Sequence, residues 1–273
     1  MITKIEARSP SGGLLSIELE DSSTGFIIKD VDGLDPVKAS FVSSSYASMD
    51  GSQYQASHRE ARNLLLKIDL DPDYSTTSVY DLRKTLYNYF MPKSEVELRF
   101  YLDSGITVNL NGRVETFESP LFVRDPTVTI GLLCFDPDFI DLTPTVVSES
   151  TVDDQTNFTV SYDGTVDTGT LFELAIDRTL SEFTIYHQTP DGTLKTIDFA
   201  GSFVAGDVLK VSSVRGDKYV ILNRGGTDSY VLYTKSPQSG WLELQNGSNL
   251  LRVYAVGAAI PFTITYYTRY GGL

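Results

Sequence analysis

Apolar and polar residues alternate with a period of two along much of the chain, and this pattern predicts half-buried β-strands. In the first half, the predicted strands lie at residues 2–5, 15–19, 62–69, 95–102, 106–117 and 127–135. Two glycine-containing segments, Ser11-Gly12-Gly13 and Asp103-Ser104-Gly105, predict turns between neighbouring strands. The first half therefore reads as a sheet built largely from consecutive antiparallel pairs.

One segment, from about residue 79 to residue 90, has the period of an α-helix instead. Its apolar residues recur on one face of a helix at Val79, Leu82, Leu86 and Tyr89 or Phe90. The opposite face is predicted to carry Asp81, Arg83, Lys84 and Asn88. Ser78 stands at the N-cap with Asp81 three residues later, which resembles a capping box, and Pro92 ends the helix. We expect the apolar face to pack on the sheet.

A polar segment at residues 43–59 interrupts these elements, and its residues predict a long loop or an irregular hairpin. Loops of this length in compact domains are usually functional or mobile. Contact with a neighbouring subunit is the function we favour for this segment.

The second half begins after a break in the pattern at Asp136-Pro137-Asp138 and Pro144, followed by a stretch at 146–169 rich in Ser, Thr and Asp. Eight strands are predicted beyond it, at 171–176, 183–187, 194–199, 208–214, 219–223, 230–234, 249–256 and 262–267. In the last strand, inward positions are Phe262, Ile264 and Tyr266, and outward positions are Thr263, Thr265 and Tyr267. We therefore expect a mainly β protein with two domains. Residues 1–144 form a β-sandwich with one helix and a hairpin, and residues 145–273 form a jelly-roll β-sandwich.

The composition and the charge of the sequence argue against several classes of function. The 273 residues are 41% hydrophobic, enough for two cores, and the net charge of −14 is distributed over both halves. Specific nucleic-acid binding needs clustered Lys and Arg, and the sequence has no such cluster. No apolar run approaches the roughly 18 to 20 residues of a membrane span, and the N-terminus lacks a signal-peptide pattern. We expect a soluble protein that is made in a cytoplasm and does not insert into membranes.

Catalytic and metal-binding signatures are missing from the sequence. The two histidines, His58 and His187, belong to no nucleophile or zinc pattern, and we interpret both as ordinary polar residues. The acidic run at 69–73 fails as a calcium loop, because Tyr74 and Tyr80 occupy the glycine and glutamate positions. Asp73 is expected to shape a turn with Ser75. The single cysteine, Cys134, is predicted to be a small core residue. We predict no catalytic residue, no cofactor and no metal; a hydrolytic carboxylate pair is defined by a distance that sequence does not give.

Two aromatic residues of the second half are candidate glycan contacts. Trp241 lies beside the polar segment Asn246-Gly247-Ser248, where an indole is able to stack on a sugar ring. Tyr267 near the C-terminus carries the same possibility. The alternative, in which Trp241 is a core residue, is favoured because Trp is highly buried on average.

The succession of features resembles the distal tail proteins of siphophages. The matching segments of the first half are Gly33-Leu34-Asp35-Pro36, Met49-Asp50-Gly51, Gln53-Tyr54, Arg59, Arg62-Asn63-Leu64-Leu65-Leu66, Tyr80, Arg83, Leu86-Tyr87, Phe90, Pro92-Lys93 and Cys134-Phe135-Asp136-Pro137-Asp138-Phe139. Those of the second half are Ala205-Gly206-Asp207, Trp241-Leu242 and Gly247-Ser248-Asn249. The order of these segments over nearly the whole chain carries the resemblance.

This resemblance implies a structural, non-enzymatic protein at the tail tip of the virion. In such proteins the first domain closes into a homohexameric ring beneath the tail tube, and a galectin-like second domain lies on the outside of the ring. The implied partners are other copies of the chain, the tail tube protein, a tail-tip hub or tail-associated protein, and a receptor-binding protein or host glycan. A carbohydrate-binding module that contributes to adhesion to the host is the alternative function.

Overall fold

The computed structural model describes residues 1–19, 23–47, 50–124 and 126–273. The chain divides into two compact units, the first comprising Met1–Leu142 with Gly271–Leu273 and the second comprising Thr143–Tyr270. Met49, part of the segment 49–51 that carries the resemblance, lies outside the described residues. Within the described ranges, no helix is long and apolar enough to span a membrane.

The first unit is an antiparallel sheet with one helix and a separate hairpin. Its elements are β1 (Ile2–Arg8), β2 (Leu14–Glu18), β3 (Phe26–Asp32), β4 (Ala39–Ser44), β5 (Gln53–Arg59), β6 (Arg62–Leu70), α1 (Val79–Phe90), β7 (Glu95–Leu102), β8 (Thr107–Glu118), β9 (Thr127–Cys134) and β10 (Phe139–Asp141). The strand order is β2-β1-β7-β8-β9-β6-β3, and β10 pairs with the start of β8. The strands and turns predicted for this half are confirmed.

Strand β6 and helix α1 show why the first unit has a core. Leu64, Leu66 and Ile68 alternate along β6 and are almost fully buried, as the period of two requires. The helix starts and ends as predicted: the hydroxyl of Ser78 accepts from the backbone N–H of Asp81, whose carboxylate accepts from the backbone N–H of Ser78.

One prediction for the helix is wrong. Arg83, expected on the solvent face, is buried. Its guanidinium donates to the Ser119 hydroxyl at 2.8 Å and to the Pro120 carbonyl at 2.9 Å. A long arginine at the border of the two helix faces lays its apolar stem along the core while its head finds acceptors in a neighbouring loop.

The second unit is a two-sheet sandwich. Its elements are β11 (Thr145–Ser150), β12 (Phe158–Tyr162), β13 (Thr168–Ala175), β14 (Leu180–Gln188), β15 (Leu194–Phe203), β16 (Val208–Val214), β17 (Asp217–Arg224), β18 (Thr227–Tyr230), a 3₁₀ helix (Leu232–Thr234), β19 (Glu243–Leu244), β20 (Gly247–Ala255), β21 (Pro261–Tyr266) and β22 (Arg269–Tyr270). One sheet has the order β11-β21-β13-β16-β17-β18, with β19 paired to β13, and the other has the order β12-β20-β14-β15. Buried residues of both sheets form one continuous core.

Most strands predicted for the second half are confirmed, including the inward positions Phe262, Ile264 and Tyr266 of β21. The predicted strand at 230–234 is wrong, because these residues form the end of β18 and the 3₁₀ helix. Strands β11 and β12 were not predicted. Each is at the edge of its sheet. Strand β11 has almost no buried side chain, whereas β12 does alternate apolar and polar residues, with Val160 and Tyr162 buried, but it is only five residues long and lies within the Ser-, Thr- and Asp-rich stretch that was interpreted as a break.

Candidate functional site

The β4–β5 hairpin is the most exposed regular element of the first unit. The two strands pair with each other, with a register irregularity between Val42 and Ser43, and among the described residues they pair with no other strand. Phe41 is 70% exposed and Tyr54 is 62% exposed, and their rings meet edge to face with centroids 6.4 Å apart. An isolated two-stranded hairpin is marginally stable in water. This hairpin therefore requires support at its base or along its faces.

Arg62 supports the base of the hairpin from below. The residue is 1% exposed, and its guanidinium donates to four backbone carbonyls. The acceptors are Gly33, Asp35 at 2.8 Å, Pro137 at 2.7 Å and Gly271 at 2.6 Å. The guanidinium carbon also lies 4.4 Å from the centroid of the Phe139 ring, a cation–π distance. One side chain thus joins three separate backbone segments.

Among the described residues, the hydrogen bonds of the Arg62 guanidinium go to backbone carbonyls, and the nearby charges of Asp138 and Asp35 also favour its protonated form. A buried charge is costly unless such partners compensate it. Burial lowers the pKa of Arg62 from its usual value, although a guanidinium remains protonated throughout the physiological range. Its charge is stabilised by carbonyl dipoles and by the Phe139 ring. This arrangement is suited to holding backbone in place.

Arg59, the last residue of β5, fixes the second strand of the hairpin at its base. Its guanidinium makes a bidentate pair with the carboxylate of Asp138, which is 2% exposed; one of the two contacts is 3.0 Å. Bidentate arginine–carboxylate pairs restrict orientation more than single hydrogen bonds do. Beside it, the backbone N–H of Glu60 donates to the Lys38 carbonyl at 3.0 Å, and the Ser40 hydroxyl donates to the Glu60 carboxylate. Both strands of the hairpin, β4 and β5, are therefore fixed at the base, where they join the rest of the first unit.

The backbone conformation of the loop before β4 requires a glycine at position 33. Its φ of 94° is in the left-handed region, and a Cβ built at this position would lie 2.1 Å from the carbonyl oxygen of Asn63. Only glycine fits this backbone approach without movement. The close approach brings the Gly33 carbonyl to Arg62.

The segments that carried the resemblance in sequence therefore meet in space. Gly33 and Asp35, Arg59 and Arg62, and the segment 137–139 form one cluster at the base of the hairpin. The sequence contained these residues as separate short patterns. It did not indicate that one arginine would bind carbonyls of several of these segments. Every residue has a backbone carbonyl, so the residue type does not show which carbonyls accept a hydrogen bond.

Trp241 and Tyr267, the predicted glycan contacts, have different surroundings. Trp241 is partly buried against the core of the second unit, and the amines of Lys235 and Lys218 lie 5.0 and 5.6 Å from the centroid of its ring. These cations occupy positions from which a sugar would stack on the ring. Tyr267 is exposed, and its backbone carbonyl accepts from the Thr168 hydroxyl. Their role in glycan binding stays a prediction.

An open groove of about 1080 Å³ lies on the outer face of the larger sheet of the second unit. Ser148, Thr263, Glu173 and Lys210 follow one another across neighbouring strands at its floor. Glu173 and Lys210 form an ion pair at 3.0 Å, and this hydrogen bond raises the pKa of Lys210. Neither Trp241 nor Tyr267 lines the groove.

The titratable residues considered in the sequence are explained by structure. His187 is fully buried, which the sequence did not indicate; its Nε2 lies 3.0 Å from Oδ1 of Asn249, and burial lowers the pKa of the imidazole. Asp73 accepts from the backbone N–H and hydroxyl of Ser75, as predicted for a turn. Cys134 is buried, as predicted, and burial raises the pKa of its thiol to about 11. A search of the described residues for groups of three or more metal-ligating side chains finds none.

Two family models match consecutive parts of the chain. Residues 14–134 match the phage tail protein RIFT-related domain, and residues 163–270 match the C-terminal domain of the siphovirus-type tail component. Together they cover most of the first and second units. Among curated protein sequences, none matches this chain.

A solved structure shows the same fold. The crystal structure of the Dit protein of phage SPP1, described as a paradigm of the hub adsorption apparatus in phages infecting Gram-positive bacteria, has a TM-score of 0.67 and 16% sequence identity. The match covers 97% of this chain and 98% of that chain. A chain of the phage P2 baseplate in its activated conformation with calcium has a TM-score of 0.46 and 9% identity, over 97% of this chain and 98% of that chain.

The two family models, which match one after the other along the chain, identify it as a tail component of a long-tailed phage. The chain belongs to the siphophage distal tail proteins, as the resemblance in its sequence implied. It is a structural component of the virion at the tip of the tail.

Proposed function

We propose that six copies of the chain form a closed ring that joins the tail tube to the tail-tip apparatus. Residues 1–144 form the ring in this proposal, and residues 145–273 form the outer domain, available to a receptor-binding protein or to the host surface. The role is structural and involves no catalysis. The tail tube protein contacts one side of the ring, and a hub or tail-associated protein contacts the other.

The exposed β4–β5 hairpin carries this proposal. It presents Phe41, Val42, Tyr46 and Tyr54 to solvent, although large apolar side chains gain free energy when they are buried. Cyclic rings use heterologous interfaces, in which an element of one subunit contacts a different surface of the next. A hairpin that is fixed at its base and free along its strands is suited to such a contact.

Replacing both aromatic residues of the hairpin, in the variant Phe41→Ser/Tyr54→Ser, is expected to weaken ring formation. The wild-type protein is expected to show six times the 30.2 kDa mass of the chain by light scattering. The variant is expected to dissociate at concentrations at least about tenfold higher, because buried aromatic anchors contribute much of the free energy of an interface. Its thermal unfolding is expected to stay close to wild type, since both side chains are exposed in the single chain.

The matched control is Leu194→Ser/Tyr233→Ser, which removes two equally exposed apolar side chains from the second unit. We expect this control to assemble like the wild type. A hexamer that is insensitive to the hairpin variant would contradict the role of the hairpin. A wild-type protein that remains monomeric at all concentrations, alone and with purified tail tubes, would contradict the ring.

A second candidate function is adhesion through a carbohydrate, and the groove of the second unit favours it. Hydroxyl groups and the ion pair of Glu173 and Lys210 suit a polyhydroxylated ligand, and the groove volume slightly exceeds the usual range for ligand sites, about 300–1,000 Å³. This function would add to the structural role of the ring.

Filling the groove by Ala175→Trp is expected to weaken binding to purified cell-wall polysaccharide of the host at least tenfold, because the indole occupies space that the ligand needs. Titration calorimetry with the wild type and the variant measures the effect. Tyr267→Ala tests the predicted tyrosine in the same assay. Wild-type protein that binds no host polysaccharide would exclude the adhesion function and leave the ring unaffected.

A further inference from the structure

The buried imidazole of His187 is a titratable group that plays no part in the proposed ring or in the groove. His187 lies near the end of β14, where it pairs with Lys195 of β15 and with Leu251 of β20, and its side chain is fully buried. A histidine changes its charge between about pH 5 and pH 8, and a buried cation is costly without a partner. The surroundings of this imidazole therefore decide whether it accepts a proton.

Asn249 connects His187 to the turn between β19 and β20. The Oδ1 atom of Asn249, which is also fully buried, accepts from the backbone N–H of Gln245 at 3.1 Å and lies 3.0 Å from Nε2 of His187. Its Nδ2 atom donates to the carbonyls of Gln245 at 2.8 Å and Gly247 at 3.2 Å, and to that of Val160 in β12 at 3.4 Å. One buried amide thus closes the turn and attaches it to the smaller sheet. We call His187, Asn249 and the turn at 245–247 the histidine clamp.

These contacts determine which nitrogen of His187 carries the proton. Oδ1 of Asn249 is an acceptor, because the backbone N–H of Gln245 donates to it, so Nε2 of the imidazole is the donor. Nδ1 is then the unprotonated nitrogen, and among the described residues it has no hydrogen-bond partner although it is buried. A proton added at Nδ1 would place a second N–H donor and a positive charge in the core without an acceptor.

The charges near the histidine clamp do not favour a protonated imidazole. Lys195, opposite His187 on β15, is positive and acts against protonation. Asn249 and Leu251 of β20 are neutral, and β12 contains no charged residue. The charged residues of the adjoining segments have other partners: the carboxylate of Asp191 accepts from Thr189 and Thr193, that of Glu243 pairs with Lys218, and the guanidinium of Arg252 lies over the Tyr186 ring.

We propose that protonation of His187 opens the histidine clamp and makes the second unit the acid-sensitive half of this protein. The imidazolium is no longer stable in the core, Asn249 loses one of its hydrogen bonds, and the turn at 245–247 is released from β14. The other histidine of the chain, His58, is exposed on the hairpin, so the first unit has no buried imidazole of this kind. The device lies within the second unit and does not depend on the proposed ring.

The direction of the pH dependence follows from the two states of the chain. Burial lowers the pKa of His187 from its ordinary value of 6.5, and Lys195 acts in the same direction, although the hydrogen bond with Asn249 partly opposes them. Between the lowered pKa and 6.5, the unfolded chain binds a proton that the folded unit does not bind. The stability that neutral His187 contributes is therefore complete above this range and is lost as the pH falls through it. Carboxylates titrate mainly below about pH 5, so their effect lies outside the range.

Urea unfolding followed by the fluorescence of Trp241 tests the proposal, since the only tryptophan of the chain belongs to the second unit. The variant His187→Gln keeps a neutral donor but removes the titration, and the matched control His58→Gln removes the exposed histidine. From about pH 7.5 to about pH 5.5, the urea midpoint of the wild type and of the control is expected to fall at least about twice as far as that of His187→Gln. Each protein is compared with itself at the two pH values, so a loss of stability that is independent of pH does not affect the result.

Nitrogen NMR of labelled histidine in the His58→Gln protein provides a second measurement, because His187 is then the only histidine. The folded protein at about pH 5.5 is expected to show a neutral imidazole with its proton on Nε2. A folded protein whose imidazole is protonated at this pH would overturn the proposal, and this result does not require His187→Gln to fold. Equal falls of the urea midpoint for the wild type and for His187→Gln would overturn it as well.

Discussion

Replacing Arg62 with methionine is expected to lower the free energy of unfolding of the first unit by about 3–5 kcal/mol. The substitution keeps the apolar stem but removes the donors of four carbonyls, at Gly33, Asp35, Pro137 and Gly271. Each buried carbonyl left without a partner costs about 1–3 kcal/mol, although relaxation recovers part of the total. Removing one partner of a buried charged interaction has a similar cost, about 3–5 kcal/mol. Denaturant unfolding followed by tyrosine fluorescence and circular dichroism measures the loss.

Arg113→Met is the matched control, because Arg113 is exposed and its single carboxylate contact, with Glu95, is 3.4 Å long. Exposed ion pairs contribute about 0–1 kcal/mol, so this variant is expected to unfold like the wild type. Arg62→Lys keeps the charge but provides three donors on one atom in place of a planar fork, and an intermediate loss is expected. An Arg62→Met protein as stable as the Arg113→Met protein would contradict the role of the arginine.

The Arg62→Met variant also bears on assembly. Two of the four carbonyls belong to the loop that leads into the hairpin, so loss of the arginine is expected to release the base of the hairpin along with destabilising the unit. Reduced ring formation by a variant that is still folded at low temperature is the expected result. Light scattering below the unfolding transition distinguishes this effect from simple unfolding.

Replacing Phe183 with alanine is expected to destabilise the second unit by about 3–5 kcal/mol, the usual cost of removing a buried phenylalanine. Phe183 is 1% exposed and stacks on Phe199 with centroids 4.7 Å apart. It also contacts Phe203 at 6.1 Å and Phe172 at 6.2 Å. These rings come from both sheets, so the cavity would open in the middle of the sandwich. Calorimetry measures the shift of the unfolding transition.

This variant also tests the proposed division of the chain into two domains. If residues 145–273 fold as a domain, Phe183→Ala is expected to shift one transition and leave the transition that responds to Arg62→Met unchanged. The control Tyr233→Ala removes an exposed ring of the same unit and is expected to change neither transition. A single transition displaced by both Phe183→Ala and Arg62→Met would show that the two halves unfold as one cooperative unit.

The charged cluster at the base of the hairpin fits a structural role. Arg62 is surrounded by carbonyls and a phenyl ring, and Arg59 is paired with Asp138. In this cluster the hydrogen-bonding capacity of both arginines is directed to the backbone and to one carboxylate, which is the requirement for holding a hairpin.

Local residue patterns predicted the helix and most of the strands of this protein correctly. The helix at Val79–Phe90 was predicted to the residue, because the N-cap of Ser78, the acidic third position and Pro92 all act within one turn of the chain. Strands such as Val208–Val214 were predicted because apolar residues that become buried, such as Leu209 and Val211, alternate with partly exposed positions. The edge strands β11 and β12 were not predicted, and residues 230–234 were assigned to a strand although they form the end of β18 and a 3₁₀ helix.

The succession of motifs in the sequence also identified the family, since the order of turns, helix and core strands survives when individual residues change. Only the tertiary structure decided which residues hold distant segments together and which are buried. Arg62 acquires its role from four carbonyls spread over more than 200 positions of the chain, and His187 is buried by strands that pair with its own. Such contacts depend on the path of the backbone through space, and this path cannot be inferred from the type of a single residue.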